Sequence, residues 1–198
     1  MPIALIRHGQ TDWNLALRIQ GSTDVPLNDT GREQARGIVE RLDASRWDAV
    51  VSSPLSRARE TAEILADGLG IELGPAIPGL RERSYGRAEG ATSEDVRANW
   101  PDRQYPGMEP EREVEARGAA ALAEIEERFP DRNVLAVSHG TLIRLTVGAL
   151  TGTPVTPLPN TAIVELDHRG DEWVLVHAEL SVEGVEAATR IGHTAPSH

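Results

Sequence analysis

Leu5-Ile6-Arg7-His8-Gly9-Gln10-Thr11 places a charged dipeptide and a glycine directly after the first apolar run of the chain. That run, Ile3-Ala4-Leu5-Ile6, is short and β-branched at both ends, with a glycine three residues on. It reads as a buried strand feeding a tight loop. Open α/β sheets bind ligands at such strand ends. Arginine and histidine there set a fixed positive charge beside a titratable nucleophile or base, chemistry suited to a phosphate. For an isolated Arg-His-Gly the plainer reading is a strand-end salt bridge. Late in the chain the signature returns: Asn133-Val134-Leu135-Ala136-Val137-Ser138 is the clearest buried strand, and it empties into His139-Gly140.

Between these ends, periodicity alternates. Asp12 to Asn28 is turn-rich and reads as a loop. Thr30-Gly31-Arg32-Glu33 has capping-box spacing, and Ala35, Ile38, Val39 and Leu42 mark one helical face. Asp48 to Ser52 reads as a second strand, with Ser53-Pro54 opening a helix that stops near Gly68 or Gly70. Ile71 to Leu73 suggests a short third strand. Residues 91–113 are irregular and broken by prolines, with a short helix over Ser93 to Asn99. A helical stripe from Val114 to Phe129 follows, then a helix over Thr141 to Leu150, and a hairpin from Ala162 to Leu166 and Trp173 to Val176. Strands alternating with helices predict a three-layer α/β fold, its mainly parallel central sheet covered by helices on both faces. Beyond about residue 187 the small, polar sequence predicts a loose tail.

At 198 residues the chain fits one domain. A net charge of -11 argues against nucleic acid or an anionic membrane as partner, since both need a broad basic face. Any phosphate site is then a local basic pocket in an acidic protein. All 20 basic residues are arginine, which excludes lysine Schiff-base chemistry and the Walker lysine while supplying permanent charges that hold phosphate bidentately. No cysteine is present, so thiolate nucleophiles and Cys-based zinc sites are excluded. His168, His177, His193 and His198 show no metal-ligand spacing, and neither metal nor cofactor is expected. With no signal-like n-region and no apolar stretch near 20 residues, a cytoplasmic protein is the expectation.

Arg7-His8-Gly9, the segment Ser53-Pro54-Leu55-Ser56-Arg57-Ala58-Arg59-Glu60-Thr61, the loop Leu80-Arg81-Glu82-Arg83-Ser84-Tyr85-Gly86 and Ser138-His139-Gly140 stand in that order. In a parallel sheet the strand ends share one edge, and Arg57 falls near the start of its helix, where backbone N–H groups face an anion. Together these segments resemble the histidine phosphatase superfamily, the phosphoglycerate-mutase-like proteins, over about residues 3–141. The resemblance implies His8 as nucleophile and Glu82 as proton donor, preferred over Glu89 in the same loop. It implies Arg7, Arg57 and His139 as phosphate-binding groups, with Asn14, Gln20 and Gly21 as further phosphate contacts. Trp13, Arg83 and Tyr85 are candidate substrate contacts.

Two arginines and a protonated second imidazole would neutralise a phosphoryl group in line with the nucleophile. His8 must be neutral to attack, and neighbouring cations favour that form. The mutases of the family resemble a longer version, with an arginine-containing insertion after the Glu loop and a lysine where this chain has Ser93. Only 57 positions separate Glu82 from His139. Pro106-Gly107-Met108-Glu109 looks like a variant of a Pro-Gly-Gly-Glu segment common among the phosphatases. The expectation is a metal-independent phosphomonoesterase acting on a small phosphorylated metabolite; a phosphoglycerate mutase and a non-catalytic phosphate-binding protein are the alternatives. Residues 91–113, with Trp100, Arg103, Tyr105 and Met108, are the expected substrate lid.

Overall fold

A computed structural model describes residues 1–170 and 172–179; the expected loose tail from about 187 lies outside them, as do His193 and His198. Six strands and six helices follow the chain as β1 (Pro2–Arg7), α1 (Asp12–Leu15), α2 (Asp29–Arg41), β2 (Ala49–Ser52), α3 (Ser56–Leu69), β3 (Glu72–Ala76), α4 (Ser93–Asn99), α5 (Glu111–Arg128), β4 (Val134–Ser138), α6 (Gly140–Thr151), β5 (Ile163–Arg169) and β6 (Glu172–Glu179). They build one sheet in the order β3-β2-β4-β1-β5-β6. The pairings β1–β4, β2–β4 and β2–β3 are parallel, and β5 is antiparallel to both β1 and β6. The mainly parallel sheet read from the sequence is therefore present, with β5 and β6 forming the late hairpin.

Alternation along the strands divides the core. Ile3 and Leu5 of β1, with Ala49, Val51, Val134 and Ala136, pack with Leu122, Ile125 and Leu142 of α5 and α6. Ala4 and Ile6, with Val50, Leu135 and Val137, pack with Ile38, Ala58, Ala62 and Leu65 of α2 and α3. A period of two on the strands thus meets a period of 3.6 on helices at both faces.

Register brings the strand ends level. Arg7 lies opposite Ser138 across β1–β4, and Ser52 opposite Val137 across β2–β4. One residue further, His8 N–H donates to Ser138 O at 3.0 Å and Ser53 N–H to Val137 O at 2.9 Å. Arg7-His8, Ser52-Ser53 and Ser138-His139 consequently leave the sheet side by side. Close backbone approach fixes the first exit: a Cβ on Gly31, in the first turn of α2, would collide with the Gln10 main chain.

Three local readings change. The α2 cap is Asn28, whose side chain accepts from Gly31 N–H, so Thr30 lies inside the helix and not at its cap. Helix α3 begins at Ser56, because Ser53 is still held to β4 and its hydroxyl bonds His139. Asp24 instead accepts from Ser56 N–H at 2.8 Å and Ser56 Oγ at 2.7 Å, capping α3 from a distant loop. Within the expected loop, Asp12–Leu15 forms one helical turn closed by a Thr11–Asn14 capping box.

Candidate active site

His8, His139 and Arg57 are buried to 3%, 0% and 0% exposure at the carboxyl edge of the sheet. His8 Nδ1 lies 2.6 Å from Gly9 O, and a carbonyl can only accept, so Nδ1 carries the proton. Nε2 then holds the lone pair and receives Arg57 Nε–H at 3.2 Å. Burial, followed by Arg57 and Arg7, holds the His8 pKa well below the usual histidine value. The result is a neutral imidazole with a fixed tautomer and its nucleophilic nitrogen directed at the arginine.

Arg57 is aimed by carbonyls. Its Nη1 donates to Thr23 O at 2.9 Å and Nη2 to Gly21 O at 2.8 Å, so three of its five N–H groups hold the head in place. Burial pushes its pKa down to about 10, leaving it a cation at neutral pH. The Thr61 hydroxyl links α3 to the opening loop, accepting from Gly9 N–H at 3.2 Å and donating to Arg57 O at 2.7 Å. Arg7 Nη1 donates to Leu158 O, while its buried Nε has no partner.

The His139 ring sits edge-on to His8, with centroids 5.1 Å apart. Its Nε2 pairs with Ser53 Oγ at 2.8 Å, and its buried Nδ1 is unpartnered. Burial first, then Arg57, His8 and Arg7, push its pKa well below the usual value. The protonated second imidazole expected from the sequence is therefore opposed by this environment. Five buried side-chain atoms lack hydrogen-bond partners among the described residues, and three belong to Arg7, His139 and Gln20. Buried polar atoms without partners are uncommon, and those of Arg7 and His139 lie on strand ends that leave the sheet side by side.

Glu82 is fixed at the start of α6. Its Oε1 accepts from Arg83 N–H at 2.9 Å and Leu142 N–H at 3.0 Å, and its Oε2 from Thr141 N–H at 3.1 Å. Glu89 is spent on structure: its carboxylate accepts from the N–H and hydroxyl groups of Ser22 and Thr23 and from Tyr85 N–H. Burial opposes its ionisation, but these donors outweigh it and lower its pKa. Glu89 thereby clamps the loop that presents the Gly21 and Thr23 carbonyls to Arg57.

Asn14 Oδ1 accepts from Thr11 and from Asn160 Nδ2, and the same Asn160 amide holds His8 O at 2.9 Å. The Gly21 backbone, at φ 56°, faces Arg57 through its carbonyl. Tyr85 Oη pairs with Thr141 Oγ1 at 2.8 Å, and burial and the nearby Glu82 raise its pKa. Trp13 is half-buried, its ring edge over Gly90. Arg83 is turned to other work, donating to Glu109 O at 2.8 Å and Glu111 Oε1 at 2.9 Å. Sequence reasoning missed Asn160 and Arg117. Arg117 binds the carbonyls of Gly79, Arg81 and Glu82 and grips the Glu109 carboxylate with two nitrogens, which fixes the Glu82 loop. Neither carries a local signal, since Asn160 reads as a turn residue and Arg117 as a solvated helix arginine.

A neutral histidine, two fixed arginines, a second imidazole and an anchored carboxyl can together receive a phosphoryl group and protonate its leaving oxygen. Comparison with known proteins finds phosphatases and phosphoglycerate mutases. A uncharacterised phosphatase of Bacillus subtilis, PhoE, is 37% identical over 175 residues, covering 86% of this chain and 90% of its own. A probable phosphoglycerate mutase of Photorhabdus laumondii, GpmB, is 33% identical over 190 residues, covering 88% of each. Among solved structures, a mycobacterial glucosyl-3-phosphoglycerate phosphatase complexed with VO3 superposes with a TM-score of 0.79 at 31% identity, covering 88% of this chain and 96% of that one. The family model for branch 1 of the histidine phosphatases matches residues 3–181, and the chain belongs to the histidine phosphatase superfamily.

Proposed function

We propose that this protein is a phosphomonoesterase that hydrolyses a small phosphorylated metabolite through a phosphohistidine on His8. The observation that carries the reading is the Nδ1–H bond to Gly9 O, which leaves Nε2 as an unprotonated nucleophile beside Arg57. Nε2 attacks phosphorus, the bond to the alcohol oxygen breaks, and that oxygen takes its proton from the Glu82 carboxyl group. Glu82, now a carboxylate, removes a proton from the water that displaces phosphate from His8. General acid–base help of this kind contributes about 10²–10⁴-fold. Arg7, Arg57 and the Asn14 amide meet the transferring charge. The arriving anion favours the His139 imidazolium, whose Nε2–H donates to Ser53 Oγ and whose Nδ1–H is a further donor.

Phosphatase is favoured over mutase because the segment after Glu82 is short and carries Ser93 where the mutases have lysine. A non-catalytic phosphate binder needs the arginines but neither His8 nor Glu82. Among the described residues no group of three or more His, Asp or Glu side chains is arranged to hold a metal ion, and the arginines supply the positive charge instead. Residues 91–113 form the lid. Its Glu109 is gripped by Arg117, and Met108 sits at an ordinary negative φ, so glycine is not required there.

The test is p-nitrophenyl phosphate hydrolysis by wild type and His8→Ala, with rapid quench of a labelled phosphomonoester. The expected results are a loss of at least about 10³-fold in turnover in the variant and an acid-labile, base-stable adduct in wild type. EDTA leaves activity intact and vanadate inhibits. Near-wild-type turnover by His8→Ala overturns the mechanism, and loss on chelation restored by Mg²⁺ or Zn²⁺ overturns its metal independence.

A further inference from the structure

We propose that the cavity between the Leu17–Ile19 segment and residues 93–105 is the leaving-alcohol subsite, selecting phosphomonoesters whose alcohol joins an apolar, ring-sized body to an anionic far end. The proposal rests on the phosphomonoesterase reading of the His8 site and adds to it a substrate class.

The cavity measures about 410 Å³, within the range of small-molecule sites. Leu17 and Ile19 form one wall, and Val96, Trp100 and Tyr105 the other. Both walls are joined to the segments that carry the candidate site. Ile19 precedes the buried Gln20, and its main chain pairs with Gly90 and Ala91 at the end of the Glu82 loop. Tyr105 meets Trp100 and Tyr85 edge-on, with ring centroids 5.7 and 6.1 Å away, and Tyr85 lies within electrostatic reach of Glu82. An alcohol leaving His8 past Glu82 and Tyr85 therefore extends toward Tyr105 and Trp100.

Two features set the chemistry of its occupant. Leu17 is 76% exposed and held at φ 52°, a left-handed conformation rare for leucine, so apolar surface is kept in water at a cost in backbone strain. Arg103, at φ 57°, and Arg97 line the same cavity, and neither has an ion pair or a hydrogen bond from its side chain among the described residues. Of the neighbouring acids, Asp95 accepts from Thr92 and Asp102 from Gln104 N–H, and Glu94 forms no ion pair with either arginine among the described residues. In a chain of net charge -11, two uncommitted arginines beside an aromatic wall favour an anion there.

The experiment compares 3-(4-phosphonooxyphenyl)propanoate with its methyl ester, which has the same body without the charge. Wild type is expected to prefer the acid about tenfold in kcat/KM, and the ratio falls to about one in the doubly substituted Arg97→Ala, Arg103→Ala protein. Equal rates on the two esters in wild type, or an unchanged ratio in the variant, overturn the subsite. If neither ester is hydrolysed while p-nitrophenyl phosphate is, the subsite is overturned; if none of the three is hydrolysed, the phosphomonoesterase reading fails, and calorimetric titration with 3-(4-hydroxyphenyl)propanoate decides the cavity by itself. Binding that weakens about tenfold in the variant upholds it; no binding, or equal binding to both proteins, overturns it.

Discussion

Glu82 receives three backbone N–H groups and keeps room on Oε2 for a further contact, whereas Glu89 is saturated by Ser22, Thr23, Ser84 and Tyr85. The two therefore fail differently. Glu82→Gln removes the exchangeable proton, with an expected fall in kcat of about 10²–10⁴-fold. Glu89→Gln puts an amide where only acceptors fit, with an expected loss of about 2 kcal/mol in stability and a raised KM as the Gly21 and Thr23 carbonyls release Arg57. Steady-state kinetics beside urea melts check this; a large kcat loss in Glu89→Gln at unchanged stability would exchange the roles. Arg7, His8, Arg57 and His139 were legible as candidates because each stands at a strand end or near a helix start within its own short motif. The partners of Glu89, Arg117 and Asn160 lie 66, 35 and 152 residues away in sequence, and no local pattern encodes such pairings.

Helix α2 contains two glycines with opposite surroundings. At Gly31 a Cβ would strike the Gln10 main chain, while at Gly37 it would meet nothing within 4 Å. Gly37→Ala is expected to stabilise the protein by about 0.5–1 kcal/mol through helix propensity. Gly31→Ala is expected to cost about 1–3 kcal/mol as overpacking and to lower kcat by shifting Gly9 and Gln10 beside His8. Thermal melts of both variants, with turnover of the second, measure this. Most elements were readable: apolar spacing marked the longer helices, a short helix was expected at Ser93–Asn99, and of the two stops offered, Gly68 or Gly70, Gly70 is the αL cap, while the turn Asp12–Leu15 was read as loop. Helix starts were not. Asn28 and Thr30 both have capping side chains, and the contact between Gly31 and Gln10 selects Asn28; at α3 the Ser53 hydroxyl goes to His139 and Asp24 does the capping.

The whole molecule carries two fully buried imidazoles whose pKa values lie well below 6.5 in the folded state. An unfolded chain exposes both as ordinary histidines, so below pH 6.5 it binds more protons than the native state. Their neutral burial is undisturbed above pH 6.5 and opposes folding as pH falls, by about 1.4 kcal/mol per imidazole for each unit until the native rings titrate. Urea midpoints of wild type are expected to fall between about pH 7.5 and about pH 5.5, and those of His139→Gln about half as far; equal falls would mean that His139 is already charged in the native state. The order β2-β4-β1 at the centre of the sheet has another consequence, for folding in time. β1 and β2 never pair with each other; each waits for β4, which brings Val134 opposite Ile3 and Ala49. Contacts so distant in sequence form slowly, and until β4 inserts, the two waiting strands have open edges and His8 has no His139. The proposed phosphate site is therefore assembled only with the closing of the sheet, and an emerging chain spends most of its synthesis as a sticky intermediate in which that site does not yet exist.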